Sequence, residues 1–539
     1  MHARLRLIVV PLCLGIAFLA VAQKRSITEK DLFQFNWIGD PQISPDGSRV
    51  AFVKVSVNEK KDGYDTSLWS VSIRGDEPPR RMTSGNHDSS PRWSPDGKWL
   101  AFLRAPEPPA GTPGAGAGAG ARPPSPQLYL LPVAGGESWK VTDLPRGASS
   151  PTWSPDSNMI AFISTTSPED LAKQKKEQKS KAADKDAKED RKDDHPAAEK
   201  SAESEHESDV RVITRAVYRF NGAGYADIKH PQHIWVITAP QSSEQTVQPK
   251  QLTTGQFEEA NPFWSKDGSQ LFFTTTRVLE SYYELPHTDI YSVAPTGGEP
   301  AKVLTVNMGI REISLSPDGK RLGFCASVNE PVQSYTQPDL WVVDLAAGAK
   351  PRNLTANYDF DMCSGVGGDQ GTPRAGGSDQ VIWSADGNSL ITVTARQGKA
   401  NLVQVDVSSG KVTEITSGKQ AVERYRATKD GSKFVVLIST STSMADLFVV
   451  DKGKTGSPPV QITHVNDKLF SQLNLTSPEE LWYTSFDGKR IEAWVQKPPD
   501  FNPAKKYPLI LDIHGGPHTA YGYTFDHEFQ WMAARGYVV

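Results

Sequence analysis

PRWSPDGKWLAFL, residues 91–103, is the stretch whose reading decides the fold. Proline presets φ for a turn, aspartate caps it, and glycine takes a positive φ. The alternating apolar residues that follow then read as a strand. The pattern recurs as PQISPDGSRVAFV (41–53), PTWSPDSNMIAFI (151–163), PFWSKDGSQLFFT (262–274), ISLSPDGKRLGFC (313–325), VIWSADGNSLITV (381–393) and YRATKDGSKFVVL (425–437), seven copies in all. Each is followed by another apolar strand, a hairpin and a short strand; five of the seven close on Leu-Thr or Ile-Thr, the first on Met-Thr and the second on Val-Thr. Four antiparallel strands cannot bury both faces alone, so the repeats predict radial stacking into a seven-bladed, all-β propeller over about 27–463. The repeated aspartates can also be read as metal ligands. A hairpin turn accounts for every residue type in the motif and is preferred, so no metal or cofactor is expected.

The chain has 539 residues and a formal net charge of -4, without the basic footprint of a nucleic-acid binder. Residues 1–22 combine Arg4 and Arg6, an apolar run and Ala20-Val21-Ala22, and predict a cleaved signal peptide. The mature protein is therefore expected to be exported, periplasmic or secreted, with no stable membrane association. Of three cysteines, Cys13 falls in that leader; Cys325 and Cys363 leave a single disulfide or two free thiols open. Two insertions, 105–127 and 165–233, fall between the second and third strands of their units. Within the longer one, about 167–209 mixes both charge signs with almost no apolar residue, and predicts disorder or a solvated single helix. Paired Glu258 and Glu259 are candidates for holding a peptide's amino terminus, although acids at a crossover between units are ordinarily just solvated.

After Thr463 the pattern changes. Two strands flank Asp487-Gly488, and Tyr507 to Ile513 reads as a strand buried on both faces of an α/β sheet. His514, Gly515, Gly516 and Pro517 follow at its carboxyl end, where ligands sit in such sheets. A helix from near Asp526 to Gly536 and a new strand at Tyr537 come next. A Gly-Gly pair there is either a tight turn or an oxyanion hole, in which amides without a Cβ nearby approach an anionic oxygen.

With its seven repeats, SFDGKRIEAWVQKPPDF, YPLILDIHGGPH and FQWMAARGYVV, the chain resembles the prolyl oligopeptidase family of serine peptidases, near its acylaminoacyl- and dipeptidyl-peptidase members. The resemblance implies a propeller followed by an α/β-hydrolase domain, here begun at about 475–539 and incomplete. It also implies a peptide substrate and acyl-enzyme chemistry by Ser, Asp and His in that order. The matching positions are His514 to Pro517 on the oxyanion side. No Gly-x-Ser-x-Gly occurs in the sequence, so the triad is expected beyond Val539 and the chain is expected to be an inactive fragment. A non-catalytic propeller that binds proteins or peptides is the alternative reading; a lipase or esterase is a third. Peptide specificity and oligomeric state are not legible.

Overall fold

The computed structural model describes residues 24–107, 125–189, 210, 212–220, 224–280, 283–284, 287–328, 336–377, 379–454, 456–516 and 518–539, with backbone alone over 181–189. The expected signal peptide, residues 190–209 and Pro517 lie outside the described residues. In the first repeat, β1 (Asn36–Ile43), β2 (Arg49–Val57), β3 (Tyr64–Ser72) and β4 (Arg80–Arg81) pair in sequence order as an antiparallel sheet. Every later repeat heads a four-stranded unit of the same kind, and the last two join through one parallel bridge, Ala400 to Ala421.

The turn motif explains itself in hydrogen bonds. Ser94 Oγ donates to Asp96 Oδ1 (2.6 Å), and the same carboxylate accepts from the Lys98 amide (3.1 Å). The Trp99 amide donates to Ser94 Oγ (2.9 Å), and Gly97 sits at φ +74° where a side chain would be strained. Such bonds favour the ionised carboxylate: Ser265 and Ser269 hold Asp267 down at about 2.

The units form a ring. Successive inner strands touch from the first unit to the sixth, Ala421–Ala427 of the seventh unit packs on Lys399–Asp406 of the sixth, and β1 packs on Ala421–Ala427. Seven clusters of buried apolar side chains lie between neighbouring units; the closing one sets Ile38, Phe52 and Val71 against Val435, Leu437 and Leu447. Tryptophans add a directional link: Trp93, Trp153, Trp264 and Trp383 each donate an indole N–H to an inner-strand carbonyl of the preceding unit, Gln42, Arg92, Thr152 and Ser314.

Crossovers between units run three to eight residues, with one exception: residues 354–381 join unit five to unit six. In the charged insertion, α1 (Pro168–Glu189) is capped by Ser167 and anchored through Asp170 to Arg146 (2.6 Å). Cys325 and Cys363 form a disulfide. No described helix is long and apolar enough to cross a membrane.

Beyond the ring come α2 (Asp467–Phe470), a hairpin of Glu479–Thr484 and Arg490–Val495, and α3 (His527–Ala534). The expectation for Tyr507–Ile513 is corrected here. This segment makes only an isolated parallel bridge, Leu509 to Val538, and Leu509, Leu511 and Ile513 are 73%, 79% and 80% exposed. A strand is buried on both faces only when other elements cover them, and among the described residues none does so here.

Candidate functional site

The Gly-Gly loop is placed by a small sheet. The hairpin strand Arg490–Val495 runs on to Gln496, which exchanges two hydrogen bonds with Val539 (2.8 and 2.9 Å). Val538 in turn pairs with the Pro508–Ile510 segment. Residues 512–521 therefore form a loop at the carboxyl end of that segment. Tyr521 closes it by donating its hydroxyl to Asp512 (2.7 Å), and this carboxylate pushes the phenol up to about 12. The His514 ring meets Tyr521 edge-on at 5.6 Å, and Tyr521 meets Phe529 at 5.2 Å.

His514, Gly515 and Gly516 are exposed. Gly516 lies at φ +129°, where a Cβ would meet the His518 amide nitrogen at 2.9 Å, so the turn requires glycine. Among the described residues none accepts a hydrogen bond from the Gly515 or Gly516 amide. The loop borders a cavity of about 660 Å³ lined by Trp494, Leu511, His514, Tyr521, Asp526 and Phe529. Two adjacent exposed glycines beside such a cavity can present amide donors to an anionic oxygen. Neither His514 nor His518 is hydrogen-bonded to a described serine: His514 Nδ1 meets the Gly515 carbonyl (3.1 Å) and His518 Nε2 meets Asp361 (2.6 Å).

Helix α3 is fixed onto the ring. Phe525, just before it, packs on Phe35 and Phe470 at 5.9 and 5.0 Å. Buried Gln530 donates to the carbonyls of Ser441 and Thr476 (2.7 Å each). Two carboxylates serve the first turn: Asp526 accepts from the Phe529 amide (3.0 Å), and Asp369, from the long crossover, accepts from the His527 and Glu528 amides (2.8 and 3.0 Å). Burial, and then the charge of Asp369, raise Asp526 to about 6. The sequence carried no signal for this partnership, because Asp369 is 158 residues from the helix it caps.

The paired glutamates separate. Glu259 is 1% exposed and accepts from His233 Nδ1 (2.7 Å) and Thr253 Oγ1 (3.0 Å). Six residues before its turn serine it occupies the register of Asp88, which is equally buried and held by Arg104 (2.6 Å). Glu258 is exposed and lines a second cavity, of about 640 Å³, with Phe257, Glu280, Glu284 and His287.

A third cavity, of about 310 Å³, lies inside the ring beneath the long crossover. There Glu312 accepts from the buried Tyr425 hydroxyl (3.3 Å), and burial followed by the nearby Asp379 raises it to about 7. The one grouping of metal-ligating side chains among the described residues, Glu312 with Cys325 and Cys363, is taken up by the disulfide.

No family model matches the chain. An uncharacterized peptidase, YuxL of Bacillus subtilis, is 29% identical over 520 residues, covering 96% of this chain and 70% of the relative. Dipeptidyl-peptidase 5 of Porphyromonas gingivalis is 23% identical over 93% of this chain and 65% of its own length. Among solved structures, an acylaminoacyl peptidase in complex with Z-Gly-Gly-Phe-chloromethyl ketone shares the fold with a TM-score of 0.64 at 19% identity, covering 95% of this chain and 65% of that one. The acylaminoacyl peptidase of Pyrococcus horikoshii does so with 0.65 at 18% identity, covering 96% and 66%. The chain thus spans about two thirds of the length of the proteins it matches.

Proposed function

We infer the activity from a relationship carried by nearly the whole chain: it is a relative of the peptidases of the prolyl oligopeptidase family. On this reading the seven units are the blades of a seven-bladed β-propeller, and 475–539 is the first part of an α/β-hydrolase domain. The reaction is hydrolysis of peptide bonds in short peptides through an acyl-enzyme. A serine attacks the scissile carbonyl, a histidine takes its proton, and an aspartate orients the imidazole.

The observation that carries the proposal is the exposed Gly515–Gly516 turn, set at the carboxyl end of a parallel-paired segment and next to His514, which lines a cavity. His514 to Pro517 are assigned to the oxyanion side, where amide donors stabilise the tetrahedral intermediate rather than the ground state. The nucleophile elbow is absent from the 539 residues, so the serine, aspartate and histidine are assigned to residues outside them. Of the two acids considered for a peptide's amino terminus, we assign any such contact to Glu258, because Glu259 is already engaged inside the blade. The leader at 1–22 and the Cys325–Cys363 disulfide support export to an oxidising compartment.

Labelling with a serine-directed fluorophosphonate tests the reading. The product of the complete reading frame should label, and the 539-residue polypeptide alone should not. Failure of the complete product to label would return the chain to a propeller that only binds.

A further inference from the structure

The crossover 354–381 is several times longer than any other between units, and its contacts trace a path across the ring. It leaves unit five through the Cys325–Cys363 disulfide and a bridge from Met362 to Thr394. It then reaches the C-terminal part, where Asp361 meets His518 Nε2 (2.6 Å) and the Gly367 amide donates to the Ala520 carbonyl (2.7 Å). Asp369 caps α3 as described, and a Cβ on Gly368 would meet Thr524 at 2.7 Å, so the chain passes close by. Finally it returns to the ring: Thr372 donates to the Ile38 carbonyl (2.9 Å), and Asp379 pairs with Arg426 (2.9 Å) and Arg424 (3.2 Å).

We propose that this crossover is a strap through which the propeller positions the Gly515–Gly516 loop and α3, with Asp361 and Asp369 as positioning residues and the disulfide as anchor. The inference rests on the peptidase reading for what the loop does, but not for how it is held. His518 follows the glycine pair by two residues, and its ring nitrogen is the loop's side-chain link to the ring of blades among the described residues. Hydrogen bonds to an ionised acceptor are short and strong, so one aspartate can fix the exit of the loop. Asp369 acts at the other end, taking two of the orphan amides of α3. Neither aspartate belongs to the C-terminal part, so its loop geometry is set by the propeller.

The test uses the 539-residue chain labelled with ¹⁵N-histidine. The Nε2–H correlation of His518, assigned by its loss in H518Q, should be present in the unmodified chain, lost in D361N and restored in D361E. Amide exchange of His527 and Glu528 should rise at least tenfold in D369N, with exchange in the inner strands of the ring unchanged as the control for folding. C325S/C363S should weaken both signatures together. An Nε2–H correlation that survives D361N, or exchange at α3 unmoved in D369N, overturns the proposal. Fluorophosphonate labelling is independent of these signals. Intact strap signatures with no labelling would sink only the peptidase reading; labelling without them would sink only the strap.

Discussion

Phe102 and Leu511 both sit in apolar runs bounded by turn residues, yet Phe102 is fully buried and Leu511 is 79% exposed. Phe102 belongs to a repeat whose neighbours on either side are copies of itself, and its cluster draws side chains from units one and two together with Met444, Leu469 and Phe525. Leu511 belongs to a segment with one short parallel contact. Burial in the ring follows from repetition and closure. In the C-terminal part, Phe525 and Gln530 are buried where they touch the ring, at Phe35 and Ser441.

The largest expected effect attacks the ring side of this comparison. Phe102→Ala should cost about 3–5 kcal/mol, the usual range for a buried phenylalanine that leaves a cavity. Urea denaturation followed by tryptophan fluorescence measures it. A cost below about 1 kcal/mol would mean that the clusters between units are loosely packed and that the contrast with Leu511 is one of exposure alone.

Next comes the junction. A Cβ on Gly522 would stand 2.2 Å from the Gly398 carbonyl oxygen, a backbone atom with nowhere to move, while Gly398 itself is pressed against Trp494. Gly522→Ala should therefore cost about 2–3 kcal/mol of docking, by overpacking. It should show as faster proteolysis between 464 and 478 with the ring's own unfolding unchanged. Unfolding of ring and C-terminal part together would show that the two regions are one cooperative unit.

Stability should also depend on pH with opposite signs in two places. Glu312, raised to about 7 by burial and Asp379, holds a proton in the folded ring that the unfolded chain releases near 4.3. Its contribution therefore favours the fold below about 4.3 and is lost as pH rises towards 7. The turn aspartates Asp267 and Asp430, lowered to about 2 mainly by serine and threonine hydroxyls, favour the fold above about 3.9 and lose that contribution as pH falls towards 2. Urea midpoints should peak between these limbs. Glu312→Gln should flatten the upper one, a change on the order of 3–4 kcal/mol between pH 4 and 8. An unchanged upper limb in that variant would place the titrating group elsewhere, with Asp446, raised to about 6 by burial, the next to replace.

What was legible follows the same division. Ser-Pro-Asp-Gly announces its turn because the bonds that shape it, from the Ser94 hydroxyl and the Asp96 carboxylate, lie within six residues, Ser94 to Trp99. The tryptophan before the serine reads only as an apolar residue, and its indole bond to the previous unit shows once the ring is closed. The helix after Asp526 was legible from its own cap and Gly536. Asp361, Asp369 and Cys363 were not, because their partners are at least 29 residues away in the chain and the crossover carries no periodicity. The site was legible as a Gly-Gly turn after an apolar run; what holds that turn lies in the other region of the molecule.

The smallest effect is the sharpest test of the contrast. Leu511→Ser removes apolar surface that is already in water, so it should change the stability of the 539-residue chain by no more than about 0.5 kcal/mol. The same change should reduce binding of a hydrophobic dye, because Leu509, Leu511 and Ile513 form one exposed apolar strip. The two readouts point in different directions for a buried leucine, whose loss costs about 2–5 kcal/mol and leaves the surface unaltered. A cost of that size at Leu511 would show that this strip is covered in solution, and that the C-terminal part, like the ring, finds its burial against a neighbour.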